Sequence, residues 1–75
     1  MNYLEVEKKI RKTTSKEEVT DIINDLVDTY KMKKDHAKED IEYLLQDEQS
    51  LEDAQNVAVG FAECINFQLE LLAHN

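Results

Sequence analysis

The chain has no proline, no tryptophan, one glycine and one cysteine among its 75 residues. The scarcity of proline and glycine removes the residues that most often interrupt helices. Strands are not indicated either, because the sequence lacks sustained two-residue alternation and contains no Asn-Gly or Asp-Gly turn. We therefore predict an all-α fold: residues 1–75 form a single domain, a small antiparallel bundle of three or four helices.

Long apolar segments are also missing. The longest apolar run, residues 57–62, is far too short to span a bilayer, and the start of the chain, MNYLEVEKKIRK, lacks the apolar region of a secretory signal. A single cysteine excludes an internal disulfide and fits a reducing compartment. We expect a cytoplasmic protein that does not associate with membranes.

Acidic residues dominate the composition. Seventeen Asp and Glu stand against nine Lys and Arg, for a formal charge of −8. Residues 39–75 hold nine acidic side chains and neither Lys nor Arg, whereas residues 1–16 carry a net charge of +3 from five basic and two acidic residues. This balance disfavours direct binding to nucleic acid or to an anionic membrane, and it favours a protein partner with a basic surface.

Three helices are expected before residue 50. Residues 2–13 place Tyr3, Val6 and Ile10 on one face. Ser15 and Glu18 match a capping box, and the helix that follows has its apolar residues at helical spacing: Val19, Ile22, Ile23, Leu26, Val27 and Tyr30. A third apolar set, Ala37, Ile41, Leu44 and Leu45, stays in phase with Tyr30, so one helix over residues 16–47 is also allowed.

We prefer a break near Lys34, with Asp35 capping the third helix. A continuous helix would measure about 48 Å, against about 37 Å for the helix it packs on.

Residues 50–74 form the most apolar segment, which we predict to be the central helix of the bundle, capped by Ser50 with Asp53. Its main seam consists of Leu51, Ala54, Ala58, Phe61, Ile65, Leu69 and Leu72. A second seam, which we call the open seam, consists of Gly60, Cys64, Phe67 and Leu71. Two seams indicate two neighbours. We expect another helix of the same chain to fill the groove beside Gly60; a helix from a second copy or from a target is the alternative.

Residues typical of catalysis or metal binding are sparse. His36 and Asp40 share a helix face near Asp35 and Glu39, but no further ligands complete a zinc site. The acidic residues of the second helix lack the spacing and the turn glycine of an EF-hand. Cys64 has no histidine near it in sequence, so we expect a buried, inert thiol. We predict no catalytic residue, no metal and no cofactor, and hence no enzymatic activity.

Two features remain as candidates for function. The first is a group of carboxylates around the turn before the last helix, called here the acidic surface: Glu39, Asp40, Glu42, Asp47, Glu48, Glu52 and Asp53. The second is the open seam as a helix-docking groove. They favour a non-catalytic interaction module, a small regulator or inhibitor that binds a basic protein. The alternatives are a phage-type mimic of nucleic acid, a homodimeric assembly module and a bacteriocin-type immunity protein. The mimic would also use a second acidic stripe: Glu18, Asp21, Asp25 and Asp28.

Overall fold

The computed structural model describes residues 1–73, apart from the side chain of His36. This part of the chain folds into four α-helices: α1 (Tyr3–Arg11), α2 (Lys16–Tyr30), α3 (Lys34–Leu44) and α4 (Leu51–Ala73). The prediction of a small all-α bundle is confirmed. His74, the predicted last residue of the central helix, lies outside the described residues. No helix within residues 1–73 is long and apolar enough to cross a bilayer.

Side-chain caps begin α2 and α4 where the sequence predicts them. Ser15 Oγ accepts the Glu18 N–H at 3.2 Å, but the Glu18 carboxylate accepts from the N–H and hydroxyl of Thr14 and not from the Ser15 N–H. At α4 the exchange is reciprocal: Ser50 Oγ accepts the Asp53 N–H at 3.1 Å, and Asp53 Oδ2 accepts the Ser50 N–H at 3.2 Å. These bonds satisfy backbone donors that a helix start leaves without partners.

The break between α2 and α3 occurs at Lys31, so the alternative of one continuous helix is wrong. Lys31 adopts a left-handed conformation (φ 54°, ψ 41°), and its N–H donates to the Val27 carbonyl. The Met32 N–H donates to the same oxygen at 3.0 Å, which ends the helix without a glycine. Lys33, not Asp35, is the N-cap of α3, and Asp35 lies in the first turn.

The central helix of the bundle is α4, which packs against α1, α2 and α3. Helix α1 runs antiparallel to it: the Tyr3 hydroxyl donates to Glu63, whereas Arg11, two turns later, donates to Asn56. Helices α3 and α4 form a helical hairpin joined by residues 45–50. The core gathers apolar residues of all four helices, and its fully buried large side chains are Ile10, Val19, Ile23 and Leu44.

Two apolar positions depart from the predicted core. Leu45, expected on the buried stripe of α3, is the C-cap residue of that helix and is 46% exposed. The main seam of α4 is buried from Ala54 to Ile65, but Leu72 at its end is 70% exposed. The reason is length: the 23 residues of α4 extend about 35 Å, whereas the 15 residues of α2, the longest neighbour, extend about 23 Å.

A second buried face of α4 was not predicted. Val59 and Ala62, which belong to neither predicted seam, are buried. At 100° per residue they lie on the same side of α4 as Glu63, which accepts a hydrogen bond from Tyr3 of α1, and Gln55, which donates to Thr13 just after α1. Helix α4 therefore does bury more than one face, but the additional face receives α1 and is not the open seam.

Candidate functional site: an acidic surface beside an open groove

An open groove of about 900 Å³ runs between α3 and α4. We call it the α3–α4 groove. Its α4 side includes Gly60 and Cys64, and its α3 side includes Tyr43. Because α3 and α4 form a hairpin, the groove has one end near Tyr43, close to the turn, and the other end near the loop that precedes α3.

The open seam is not covered by the other residues within 1–73. Gly60 is half-buried, Cys64 is exposed, Phe67 is 62% exposed and Leu71 is 51% exposed. The expectation that another helix of the same chain fills this groove is therefore wrong. Helix α1 lies on the side of α4 that carries Asn56 and Glu63, which bond to Arg11 and Tyr3. The exposure of the open seam shows that no helix within residues 1–73 covers it.

Gly60 has no packing reason within the described chain. A Cβ atom built at this position meets no heavy atom within 4 Å, the helix's own nearby backbone aside. Glycine in a helix interior costs roughly 0.5–1 kcal/mol relative to alanine. This destabilising residue lies at a position that opens onto the α3–α4 groove.

Cys64 is also exposed, so the prediction of a buried thiol is wrong. The prediction assumed that every apolar position on α4 faces a neighbouring helix. Cys64 instead lies one helical turn from Gly60 on the uncovered face, where it lines the groove. Its thiol is accessible to reagents in solution.

The acidic surface surrounds the α3–α4 hairpin turn. Asp40 is half-buried, and the other six members are exposed. They come from α3 (Glu39, Asp40 and Glu42), from the turn (Asp47 and Glu48) and from the first turn of α4 (Glu52 and Asp53). Glu39 and Asp40 also line the α3–α4 groove, so the two predicted sites share a border. Phe67 and Leu71, in contrast, lie beyond the lining of the groove.

Helix α1 borders the opposite side of the open seam. Tyr3 Oη donates a hydrogen bond of 2.8 Å to Glu63 Oε1, and Arg11 Nη1 donates one of 2.8 Å to Asn56 Oδ1. Desolvation of the phenol and the nearby carboxylates of Glu63 and Glu7 raise the pKa of Tyr3 to about 12. Because these bonds connect residues 45 and 60 positions apart, they hold α1 along one edge of α4.

Several groove residues were not identified from the sequence. Tyr43, 49% exposed, lies off the buried stripe of α3 because it is out of phase with Ala37 and Leu44. Lys31 and Lys33 line the groove from the loop before α3. The helical phase of Tyr43 is visible in the sequence, so its exposure could have been predicted. The position of the two lysines depends on the turn at Lys31, which no glycine or proline in the sequence indicates.

The second acidic stripe lies on the outer face of α2. Glu18, Asp21, Asp25 and Asp28 are all exposed. Lys9 of α1 and Lys12, the residue after α1, line the same cleft as Glu18, Asp21 and Asp25, so positive charge lies beside this stripe. The acidic surface around the hairpin turn is built only from the part of the chain that lacks Lys and Arg. One lysine from outside that segment reaches the turn, where Lys16 Nζ donates a hydrogen bond of 2.8 Å to the Gln46 carbonyl, so lysines lie beside both acidic surfaces.

No cluster of three or more His, Cys, Asp or Glu side chains placed to hold a metal ion occurs among the described residues. Comparison with known proteins adds no family: no protein-family model, no curated protein and no solved structure matches this chain.

Proposed function

We propose that this chain is a non-catalytic interaction protein, a small regulator or inhibitor that binds a protein with a basic surface. The observation that carries the proposal is the acidic surface: six exposed carboxylates and one half-buried carboxylate around one turn, within a segment that has neither Lys nor Arg. Like charges at such density repel one another, and a basic partner relieves that repulsion.

Binding proceeds in two physical steps. Electrostatic attraction brings the basic surface toward the hairpin turn, and the effect extends over a Debye length of about 8 Å at physiological salt. Apolar contact then holds the complex. Tyr43 supplies exposed apolar area beside Glu39 and Asp40 in the groove, and Phe67 and Leu71 supply more toward the far end of α4. Aromatic side chains of this kind supply much of the binding energy at many interfaces.

A mimic of nucleic acid is the second candidate, and the exposed stripe on α2 is its support. Lys9 and Lys12 line the same cleft as that stripe, and Lys16 Nζ donates to the Gln46 carbonyl in the hairpin turn, so lysines lie beside both candidate contacts. The two candidates differ in one measurable outcome. A mimic competes with DNA or RNA for one site on its partner, whereas a regulator that binds elsewhere forms a ternary complex.

The test is affinity capture from a lysate of the source organism with three immobilised proteins. The first is the natural chain. The second is a patch variant, Asp47→Lys with Glu48→Lys and Glu52→Lys. The third is a control variant, Glu17→Lys with Asp21→Lys and Asp25→Lys. Both variants change the charge by the same amount, and each reverses one carboxylate in a first helical turn, Glu52 in α4 or Glu17 in α2.

The proposal predicts a basic protein that the natural chain and the control variant retain at low salt and that the patch variant loses. Retention by all three proteins, or equal loss from both variants, contradicts it, because the acidic surface would then have no role beyond net charge. Circular dichroism of each variant establishes that the helices are intact before capture.

A further inference from the structure

We infer that the α3–α4 groove is the docking site for a basic amphipathic α-helix of the partner, with an apolar residue of that helix seated on Gly60. The inference rests on the proposed function, because it names the part of the partner that the acidic surface guides. It adds a specific occupant, a position for that occupant and an orientation.

The size and the lining of the groove fit a helix. The α4 residues that line the groove run from Asn56 to Gln68, about 18 Å along the helix axis, which is the length of about three turns of a helix laid alongside. Gly60 allows the closest approach because it presents no side chain, and space for a Cβ is empty there. Tyr43 stands on the α3 side, so an apolar stripe laid along the groove contacts both helices.

Two carboxylates balance two lysines among the charged residues that line the groove. The excess negative charge that favours a basic helix therefore comes from the acidic residues beyond the Tyr43 end, and it gives that helix a direction. Glu39 and Asp40 line the α3 side of the groove, and Asp53 lies in the first turn of α4, beyond the end marked by Tyr43. Lys31 and Lys33 lie at the other end. A helix is relatively positive at its N-terminus and negative at its C-terminus. The bound helix therefore points its N-terminus toward Asp53 and its C-terminus toward the two lysines.

A second copy of this chain is the less favourable occupant. It carries the same charge of −8, so its approach to the acidic surface is opposed by repulsion. The basic helix that a second copy could offer is α1. The exposed apolar residue of α1, Leu4, lies among Glu7 and three basic side chains, so α1 has no exposed apolar stripe that matches the groove.

Cys64 provides a direct probe of the groove, because it is the single cysteine, is exposed and lies one turn from Gly60. The experiment measures the rate at which N-ethylmaleimide, an uncharged reagent, modifies Cys64 in the full chain. The ligand is a synthetic helix of about 18 residues, long enough to be helical in water, built from Leu, Ala, Lys and Arg with one apolar stripe. A peptide of the same composition in scrambled order, without a stripe, is the control.

The inference predicts that the amphipathic peptide, at about ten times its Kd, slows modification about tenfold, whereas the scrambled peptide has little effect. Gly60→Leu abolishes the protection by filling the groove, and Gly60→Ala, which adds one methyl group, preserves the fold and weakens the protection. A nitroxide on the peptide N-terminus broadens the amide signal of Asp53 more than that of Lys33. Equal protection by both peptides, or full protection in Gly60→Leu, overturns the inference.

The outcomes separate this inference from the proposed function. If the patch variant loses the natural partner while Gly60→Leu retains it, the acidic surface acts without the groove, and only the groove inference fails. If Gly60→Leu loses the partner while the patch variant retains it, the groove stands and the electrostatic proposal fails. Protection of Cys64 that increases with protein concentration, without any peptide, identifies a second copy as the occupant and contradicts the inference.

Discussion

The phenolic oxygen of Tyr3 lies 2.8 Å from Glu63 Oε1 and joins the first helix to the last across 60 residues. Desolvation and the neighbouring carboxylates raise the pKa of Tyr3 from 10.0 to about 12. A raised phenol pKa means that the folded chain holds this proton more tightly than the unfolded chain does. The resulting stabilisation is therefore complete below about pH 10 and is lost as the pH rises through 12.

Tyr3→Phe tests this coupling. Below pH 10 we expect the variant to have a smaller free energy of unfolding than the natural chain, because it lacks the contribution of Tyr3. Between pH 10 and 12 the natural chain loses that contribution, so the stability of the variant falls less steeply there. Ultraviolet titration of the three tyrosines should show a late ionisation that is absent from the variant. Tyr43→Phe, on an exposed ring, is the control. If Tyr3→Phe and Tyr43→Phe show the same late ionisation, the assignment of that ionisation to Tyr3 is wrong.

Gly60→Ala should stabilise the isolated chain. Apart from the adjacent residues and nearby backbone of α4, the added Cβ meets no heavy atom of the described residues within 4 Å, and alanine removes the conformational entropy that glycine gains on unfolding. We expect an increase of roughly 0.5–1 kcal/mol in the free energy of unfolding, measured by urea denaturation. A decrease would mean that the groove closes on Gly60 in solution.

Burial separates two leucines that the sequence assigns to the core alike. Leu44 is fully buried, whereas Leu72 is 70% exposed. Leu44→Ala should lower the free energy of unfolding by about 2–5 kcal/mol, and Leu72→Ala should change it by less than about 0.5 kcal/mol. Thermal and urea denaturation of both variants provide the comparison. A similar loss in Leu72→Ala would show that the end of α4 packs against other residues in solution.

The turn at Lys31 predicts a stabilising substitution. Its positive φ is a conformation in which a side chain is strained and glycine is not. Lys31→Gly should therefore raise the free energy of unfolding by up to about 1 kcal/mol. Lys38→Gly, at an exposed position inside α3, is the control and should instead lower the free energy of unfolding by roughly 1 kcal/mol. A loss of stability in Lys31→Gly would indicate that the lysine side chain contributes more than its backbone strain costs.

Much of the fold was predictable because local signals agree with tertiary packing. The capping serines Ser15 and Ser50 start α2 and α4, and every apolar residue predicted for α2 from Val19 to Val27 is buried. Such agreement arises where the period of the apolar residues and the helix cap specify the same element. The break before α3 was only preferred from the sequence, because its turn depends on backbone bonds to Val27 and on no turn-forming residue.

The candidate site was less predictable for a geometric reason. Periodicity identifies which positions of α4 are apolar, but it does not say which neighbouring helix covers them. The exposure of Cys64 and the burial of Val59 depend on where α1 docks, and that is set by contacts between residues distant in sequence, such as Arg11 with Asn56. The acidic surface was easier to locate, since its members flank a single turn, although its role as a binding site stays a prediction.

The central claim is that the acidic surface guides a basic partner, and the most direct test is the rate of association as a function of salt. Stopped-flow measurements compare the natural chain, the patch variant and the control variant with the captured basic protein between about 0.05 and 0.5 M salt. The account predicts that the rate constant falls steeply with salt for the natural chain and the control variant, and only weakly for the patch variant. The same salt dependence in the patch and control variants would contradict it.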